Sequence, residues 1–239
     1  MTLTRSAARH LASVGERFDL PPQAVRVLAS LLDLGTVDPT VSTSVRDPNQ
    51  AVDRHVADSL TALDLPQVRV ARRIADIGSG AGWPGLALAA ALPDAHVALV
   101  ESAVRHCRYL ERAVEVAGLG NVAVVNARAE AWPAGRGAHD LITARAVAAL
   151  PVLCEYAAPL LAEGGCLVAW KGAIPGEEAA DAEAAAAELG LERTEVRSVT
   201  PFDGARDHTL HVFRKTGPTP PRYPRRPGIA TKRPLSATS

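Results

Sequence analysis

The sequence predicts an α/β fold, in which a mostly parallel seven-stranded sheet with an antiparallel edge follows an N-terminal helical extension. Three observations predict it. Residues 1–66 carry helical patterns and no convincing strand pattern. Over residues 67–215, short apolar runs alternate with helical segments, which is typical of parallel strands joined by helices. The last two strand patterns follow each other without a helix, as in an antiparallel pair.

The N-terminal extension is predicted to contain three helices. Apolar residues at helical spacing indicate a first helix through Phe18 and a second that opens at Pro21-Pro22. A polar turn at residues 47–49 precedes a third helix over about 51–63.

Seven later segments have strand patterns. In chain order they are RRIADI, HVALVE, NVAVVN, DLITAR, CLVAWK, RTEVRSVT and HTLHVFR. Helices are expected from Pro84, over residues 104–118 and 150–161, and in the alanine-rich EEAADAEAAAAELG. Because crossovers between parallel strands are right-handed, the strand-to-helix turns meet at one edge of the sheet, where ligands bind.

The charge of the chain is unevenly distributed. The whole chain has a formal net charge of zero, but from Arg214 onward there are seven basic residues, six prolines and no acid. The tail, residues 216–239, is therefore predicted to have no packed core of its own. It is either a solubilising end or a contact for a polyanion such as nucleic acid.

The cysteines and the apolar runs restrict the class of protein. Cys107, Cys154 and Cys166 form no C-x-x-C pair and are odd in number, which argues against a disulfide scaffold and a zinc site. No run approaches the roughly 20 apolar residues that span a bilayer, and Arg5 and Arg9 interrupt any signal-peptide pattern. We expect a cytoplasmic protein without a metal or a membrane contact.

A glycine-rich turn follows the first strand. Gly80, Gly82 and Gly85 form the motif G-x-G-x-x-G. This motif is a weak signal on its own, because it occurs in dinucleotide-binding enzymes and in enzymes of other classes. Asp76 stands just before the turn and would repel a pyrophosphate, since like charges ~4 Å apart cost on the order of 4 kcal/mol. A cationic ligand such as S-adenosyl-L-methionine suits this position, with its amino-acid end against bare backbone.

Two further carboxylates extend this interpretation. Glu101 ends the second strand, where a carboxylate can accept hydrogen bonds from both ribose hydroxyls. Ala129 and Glu130 follow the third strand and can meet an adenine. The order of these positions matches the cationic end, the ribose and the base of one ligand.

Longer motifs carry a family resemblance over nearly the whole chain. They are TSVRDPNQAVDRHVADSL at 43–60, DIGSGAGWPGL at 76–86, ES at 101–102, RAEAW at 128–132, TARAVA at 143–148, LVAWKG at 167–172 and RYPRRPGIATKRPL at 222–235. With them the chain resembles class I S-adenosylmethionine-dependent methyltransferases, and more narrowly the bacterial 16S rRNA (guanine-N7) methyltransferase family, RsmG or GidB.

The resemblance implies the reaction, the partner and the cofactor contacts. It implies methyl transfer from S-adenosyl-L-methionine to N7 of a guanosine in 16S rRNA, within the small ribosomal subunit or its assembly intermediate. Separately, we expect a monomer. With the glycine turn, the predicted cofactor contacts are Asp76, Gly78, Gly80, Gly82, Trp83, Glu101, Ser102, Ala103, Ala129, Glu130 and Arg145. Trp83 replaces a smaller aliphatic residue common in the family, and Glu101 replaces an aspartate.

Arg145 and His55 are the predicted catalytic residues. Guanine N7 has a free lone pair and no proton to lose, so positioning and not a general base is the expected means of catalysis. Arg145 follows the fourth strand, where an arginine can orient the cofactor or the base. The predicted RNA contacts are Arg46, Arg54, Lys171, Arg222, Arg225, Arg226, Lys232 and Arg233.

Three alternatives remain open on sequence alone. The chain is also compatible with a methyltransferase acting on another RNA atom or on a small molecule, with an NAD-dependent oxidoreductase, and with a non-catalytic RNA-binding factor that kept the fold. Comparing the affinities for S-adenosylmethionine and NAD distinguishes a methyltransferase from an oxidoreductase. Transfer of a labelled methyl group distinguishes an enzyme from a non-catalytic binding factor, and the product identifies the methylated atom.

Overall fold

All seven predicted strands form one sheet in the computed structural model, which describes residues 3–38, 45 and 47–237. The strands are β1 (Arg73–Ile77), β2 (His96–Glu101), β3 (Val122–Asn126), β4 (His139–Arg145), β5 (Leu161–Lys171), β6 (Leu191–Ser198) and β7 (Thr209–Lys215). Their order is β3-β2-β1-β4-β5-β7-β6. The first five are parallel, and β7 is antiparallel to both β5 and β6. The predicted sheet is confirmed.

The helices cover both faces of this sheet. They are α1 (Arg5–Arg17), α2 (Pro22–Val37), α3 (Pro48–Ala51), α4 (Asp58–Leu60), α5 (Pro66–Arg69), α6 (Gly85–Ala91), α7 (Val104–Ala117), α8 (Leu150–Ala157), α9 (Gly176–Leu189) and α10 (Ile229–Lys232). Among the described residues, no helix combines the length and the apolar character that crossing a membrane requires.

Two predicted helices differ from the observed ones. The helix expected over 51–63 changes its winding along its length, because a π-helical turn, Val52–Ala57, separates α3 from α4 and a 3₁₀ turn follows. The helix expected to reach residue 161 ends at Ala157, since β5 begins at Leu161. The glycine pair at 164–165 lies inside β5, where the pairing of β4 with β5 shifts register.

One core joins the N-terminal helices to the sheet. Leu11 and Phe18 of α1 and Leu28 of α2 belong to the same buried cluster as Ile74 of β1 and Val97 of β2. Burial of apolar side chains is the main favourable term in folding. The extension is therefore held on one face of the sheet by the same core that holds the strands.

The basic tail packs against the other face. Tyr223 and Ala230 are buried, and they share a cluster with Leu153 of α8 and Leu189 of α9. The tail builds no core of its own, as its composition predicts, yet it docks on the core of the sheet domain. The hypothesis that it is only a solubilising end is wrong.

The turn between β1 and α6 depends on glycine backbone conformations. Gly78 has φ +69°, and a Cβ there would lie 2.7 Å from Cγ2 of Val147, so its absence lets the turn contact the loop after β4. Gly82 has φ +93°, and a Cβ there would collide with Leu86 and Leu110. Residues other than glycine rarely adopt such backbone angles.

Replacement of Gly82 by alanine is expected to destabilise the fold more than the same change at Gly137. Gly137 has φ +58° with open space around it, so Gly137→Ala should cost only the left-handed backbone penalty, roughly 1–2 kcal/mol. Gly82→Ala adds an overpacking cost of about 1–3 kcal/mol. Urea unfolding of both variants measures the difference, and equal losses would contradict the packing argument.

Candidate active site

Two clefts open at the carboxyl edge of the parallel strands. Cleft A lies at the ends of β1 to β4 and is lined by Ile77, Gly78, Val100, Ser102, Ala127, Arg128, Ala129, Glu130, Val147, Ala148, Tyr156 and Thr231. Cleft B lies beyond the ends of β4 and β5 and is lined by Asp58, Arg145, Ala146, Ala148, Trp170, Lys171, Gly172, Arg206, His208 and Thr209. Ala148 lines both, so the two clefts adjoin.

The glycine turn has few free hydrogen-bond donors. Six of its backbone N–H groups donate to acceptors of the protein itself: those of Gly78, Ser79, Gly80, Gly82, Gly85 and Leu86. A pyrophosphate binds such a turn through free N–H groups and the start of the helix. This turn therefore disfavours a dinucleotide, for a reason that the sequence did not reveal.

The Glu101 carboxylate ties the glycine turn to the end of β2. Its Oε2 accepts from the Gly80 N–H at 3.0 Å and its Oε1 from the Ala103 N–H at 2.7 Å. The side chain is buried. A carboxylate offers about four acceptor sites, so the two backbone bonds leave acceptor capacity. Ser102, the next residue, lines cleft A, whereas Glu101 does not.

The Asp76 carboxylate is buried and accepts hydrogen bonds within the protein. It lines neither cleft and is 1% exposed, with Oδ1 accepting from the Thr143 hydroxyl at 2.8 Å and Oδ2 from the Gly85 N–H at 3.2 Å. Burial raises the pKa of Asp76 to about 6, against the effect of these hydrogen bonds. The Asp76 carboxylate thus joins β1 to β4 and to the start of α6, and its contact with a cationic ligand stays a prediction.

Glu130 reaches cleft A together with part of the tail. Its Oε1 accepts from the Gly228 N–H at 3.1 Å, and the hydroxyl groups of Tyr156 and Thr231 lie 3.1 Å apart at the same cleft. Ala129, which follows β3, lines the cleft beside Glu130.

Asp58 is the junction of cleft B. Its Oδ2 accepts from Arg145 Nη1 at 2.7 Å, and its Oδ1 lies 3.1 Å from Nδ1 of His208. The indole N–H of Trp170 donates to the Asp58 carbonyl at 3.0 Å, and the same Arg145 nitrogen donates to the Arg54 carbonyl at 2.9 Å. The Asp58 side chain is only 8% exposed, so these contacts compensate a buried charge.

His55 and Trp83 lie beside this junction and line neither cleft. Their rings stack, with centroids 5.6 Å apart and planes 5° from parallel. Burial, assisted by the Arg145 guanidinium, lowers the pKa of His55 to about 4. The imidazole is therefore neutral near pH 7, and the structure does not bring it to the surface of cleft B.

The predicted RNA contacts fall into three groups. Lys171 is 2.8 Å from Glu178, Arg222 is 2.6 Å from Glu188, and Arg225 pairs with buried Glu155, so these three charges are already compensated. Arg54, Arg226, Lys232 and Arg233 are exposed, and so is Arg222 despite its ion pair. Arg46 lies outside the described residues.

The comparisons with known proteins decide the family. The family model described as rRNA small subunit methyltransferase G matches residues 39–208. The chain belongs to this family. The ribosomal RNA small subunit methyltransferase G of Rubrobacter xylanophilus is 44% identical to this methyltransferase over 196 residues, which are 80% of the chain and 75% of the relative. That of Desulfitobacterium hafniense is 40% identical over 81% of each chain.

Solved structures show the same fold at low identity. A SAM-dependent methyltransferase from Aquifex aeolicus matches with TM-score 0.53 and 16% identity, over 69% of this chain and 92% of that one. A predicted O-methyltransferase from Agrobacterium tumefaciens also matches with TM-score 0.53, at 22% identity over 68% and 80% of the two chains. The predicted class I methyltransferase fold is confirmed.

His208, Arg206, Tyr156 and Thr231 line the two clefts without having been predicted. His208 ends a polar connection before β7 that has no motif of its own, and Thr231 lies in the tail. Asp58 lies in the family motif at 43–60, and this motif was the one sequence signal that could have predicted it as a residue of the site.

Replacement of Thr143 by valine is expected to raise the pKa of Asp76 further above about 6, because the hydroxyl that stabilises the carboxylate is lost. Thr143→Ser keeps the hydroxyl and is the matched control. Carbon-13 NMR titration of labelled aspartate measures this pKa.

The stability of this methyltransferase should change with pH in the same sense. A carboxyl whose folded pKa lies above its ordinary value of 3.8 stabilises the fold at low pH, and this contribution is lost as pH rises through the folded pKa. In Thr143→Val the loss should occur at higher pH than in Thr143→Ser. Identical Asp76 titrations in the two variants would contradict this assignment of the hydrogen bond.

Proposed function

We propose that this methyltransferase transfers a methyl group from S-adenosyl-L-methionine to N7 of a guanosine in the 16S rRNA of the small ribosomal subunit or its assembly intermediate. The observation that carries the proposal is the pair of adjoining clefts at the carboxyl edge of the sheet, one suited to the cofactor and the other to a base. The relatives, named as small-subunit rRNA methyltransferases, support the substrate class.

The residues of cleft A fit the proposed cofactor. Ile77, Val100 and Val147 supply apolar walls, and Ser102 and Glu130 supply polar groups at the ends of successive strands. In ligand pockets, apolar side chains pack against the ligand and well-placed polar groups fix its orientation. When bound, S-adenosylmethionine supplies an electrophilic methyl group on its sulfonium.

The residues of cleft B fit a reaction without a general base. Each Asp58 oxygen lies within hydrogen-bond distance of a cleft residue, Arg145 or His208, which suits this carboxylate to holding Arg145 in place. Guanine N7 requires no base, since its lone pair is free, and the remaining task is alignment. Trp170 and Asp58 fix Arg145, whose other N–H groups can donate to the O6 acceptor of a guanine.

The Asp58–Arg145 pair also answers an electrostatic objection. An isolated guanidinium beside a sulfonium would oppose cofactor binding, since two like charges several ångströms apart repel in the protein interior. The Asp58 carboxylate, 2.7 Å from Arg145, compensates that charge. Arg145 can then contact RNA without repelling the methyl donor.

RNA contact is proposed for exposed basic side chains rather than for every predicted one. Arg206 lines cleft B, and Arg54 contributes its carbonyl to the Arg145 contact while its side chain is exposed. Arg226, Lys232 and Arg233 extend the exposed positive charge along the tail. Phosphate contacts of this kind give salt-dependent affinity.

We also propose that the protein acts as a monomer in the cytoplasm. The most exposed large apolar side chains among the described residues are all valines, at positions 70, 104, 116, 147 and 196. Isolated apolar side chains are ordinary on monomers, whereas interfaces present larger patches. The three cysteines are free and buried, as in a reducing compartment.

Mass spectrometry of the modified nucleoside tests the proposal. Small subunits lacking the modification and naked 16S rRNA are incubated with the protein and labelled S-adenosylmethionine, then digested. We expect labelled 7-methylguanosine. A different labelled nucleoside would show that the methylated atom is not guanine N7. Binding of RNA without transfer of the labelled methyl group would favour a non-catalytic binding factor. Tight binding of NAD would favour an oxidoreductase.

Replacement of Asp58 by asparagine is expected to weaken S-adenosylmethionine binding about tenfold more than S-adenosylhomocysteine binding. The variant leaves Arg145 uncompensated, which opposes the sulfonium but not the neutral thioether, and a factor of ten corresponds to about 1.4 kcal/mol. Asp140→Asn is the matched control, because Asp140 accepts from the Arg72 and Arg73 N–H groups near the start of β4. Calorimetry with both ligands measures the ratio, and an equal ratio in the two variants would refute the charge compensation.

A further inference from the structure

The C-terminal tail closes one end of cleft A. Thr231 lines the cleft, and its hydroxyl is 3.1 Å from that of Tyr156, which lines the same cleft. Three residues earlier, the Gly228 N–H donates to the carboxylate of Glu130 at 3.1 Å. Tyr156 and Glu130, two lining residues of the sheet domain, therefore both contact the tail.

A buried ion pair fixes this part of the tail. The four hydrogen bonds found for the Glu155 carboxylate among the described residues all come from Arg225, at 2.6 to 3.0 Å, three from its guanidinium and one from its backbone N–H. Glu155 is 1% exposed and lies in α8 next to Tyr156. A buried carboxylate needs such a partner, since an uncompensated charge in the interior is strongly unfavourable.

A second anchor lies just before Arg225. Tyr223 is buried and its hydroxyl donates to Glu188 of α9 at 2.5 Å, while Arg222 pairs with the same carboxylate at the surface. The Arg222 side chain is 68% exposed, against 25% for Arg225. The two arginines carry the same charge on the same segment but differ in burial. Arg222 is therefore a matched control for a substitution of Arg225.

We propose that residues 222–233 are part of the cofactor site, and that Arg225 is a positioning residue which sets cofactor affinity by docking this segment on Glu155. The inference rests on the proposed function, in which cleft A holds S-adenosylmethionine. Docking places Thr231 at the cleft and the Gly228 N–H on Glu130, so the cleft has its full wall only when the tail is seated. Arg225 accordingly serves the cofactor and not an RNA phosphate.

Calorimetry of S-adenosylhomocysteine binding to the full chain tests the role of Arg225. Arg225→Met should weaken binding tenfold or more. Arg222→Met should stay within twofold of the parent protein, because an exposed ion pair contributes little. Equal affinity of all three proteins would overturn the inference, whereas an unaltered protein that binds no S-adenosylhomocysteine would overturn the proposed function instead.

A double variant separates docking from general stability. Glu155→Gln combined with Arg225→Met removes the uncompensated buried charge, so thermal unfolding should recover relative to Arg225→Met alone. Cofactor affinity should remain low, and hydrogen exchange of the peptide covering 226–233 should remain faster than in the parent protein. Recovery of affinity together with stability, or fast exchange at unchanged affinity, would show that the tail is not part of the cofactor site.

Discussion

The arrangement of the site depends on the hydrogen bonds and ion pair of the buried Asp58 carboxylate. This carboxylate joins the helical extension to Arg145 at the end of β4 and to His208 just before β7. A charge that is largely withdrawn from water requires partners in fixed positions. The segment before the sheet is therefore a structural part of cleft B, and its place follows from both this junction and the shared apolar core.

The parallel sheet explains how much of the site could be predicted. Strand patterns locate the ends of β1 to β4, and the carboxyl ends of parallel strands meet at one edge, so Ser102, Ala129, Glu130 and Arg145 reach the two clefts. The hydrogen bonds of Asp76 could not be predicted, because closeness in sequence to the glycine turn does not say where a side chain points. Its partners, Thr143 and Gly85, turn its carboxylate inward.

Contacts between distant residues account for what the sequence did not reveal. Arg225 and Glu155 are 70 residues apart, Gly228 and Glu130 are 98 apart, and the Asp58–His208 contact spans 150 residues. No local pattern reports such pairs. The composition of the tail correctly indicated the lack of its own core, but a segment without a core can still dock on that of another.

The position of the cofactor's reacting atom tests the account most directly. Crystals grown with the selenium analogue of S-adenosylhomocysteine allow that atom to be located by anomalous scattering. The account predicts the selenium where clefts A and B adjoin, near Ala148, with the adenine beside Ala129 and Thr231. Selenium beside the stacked His55 and Trp83 rings, or an adenine in cleft B, would contradict it.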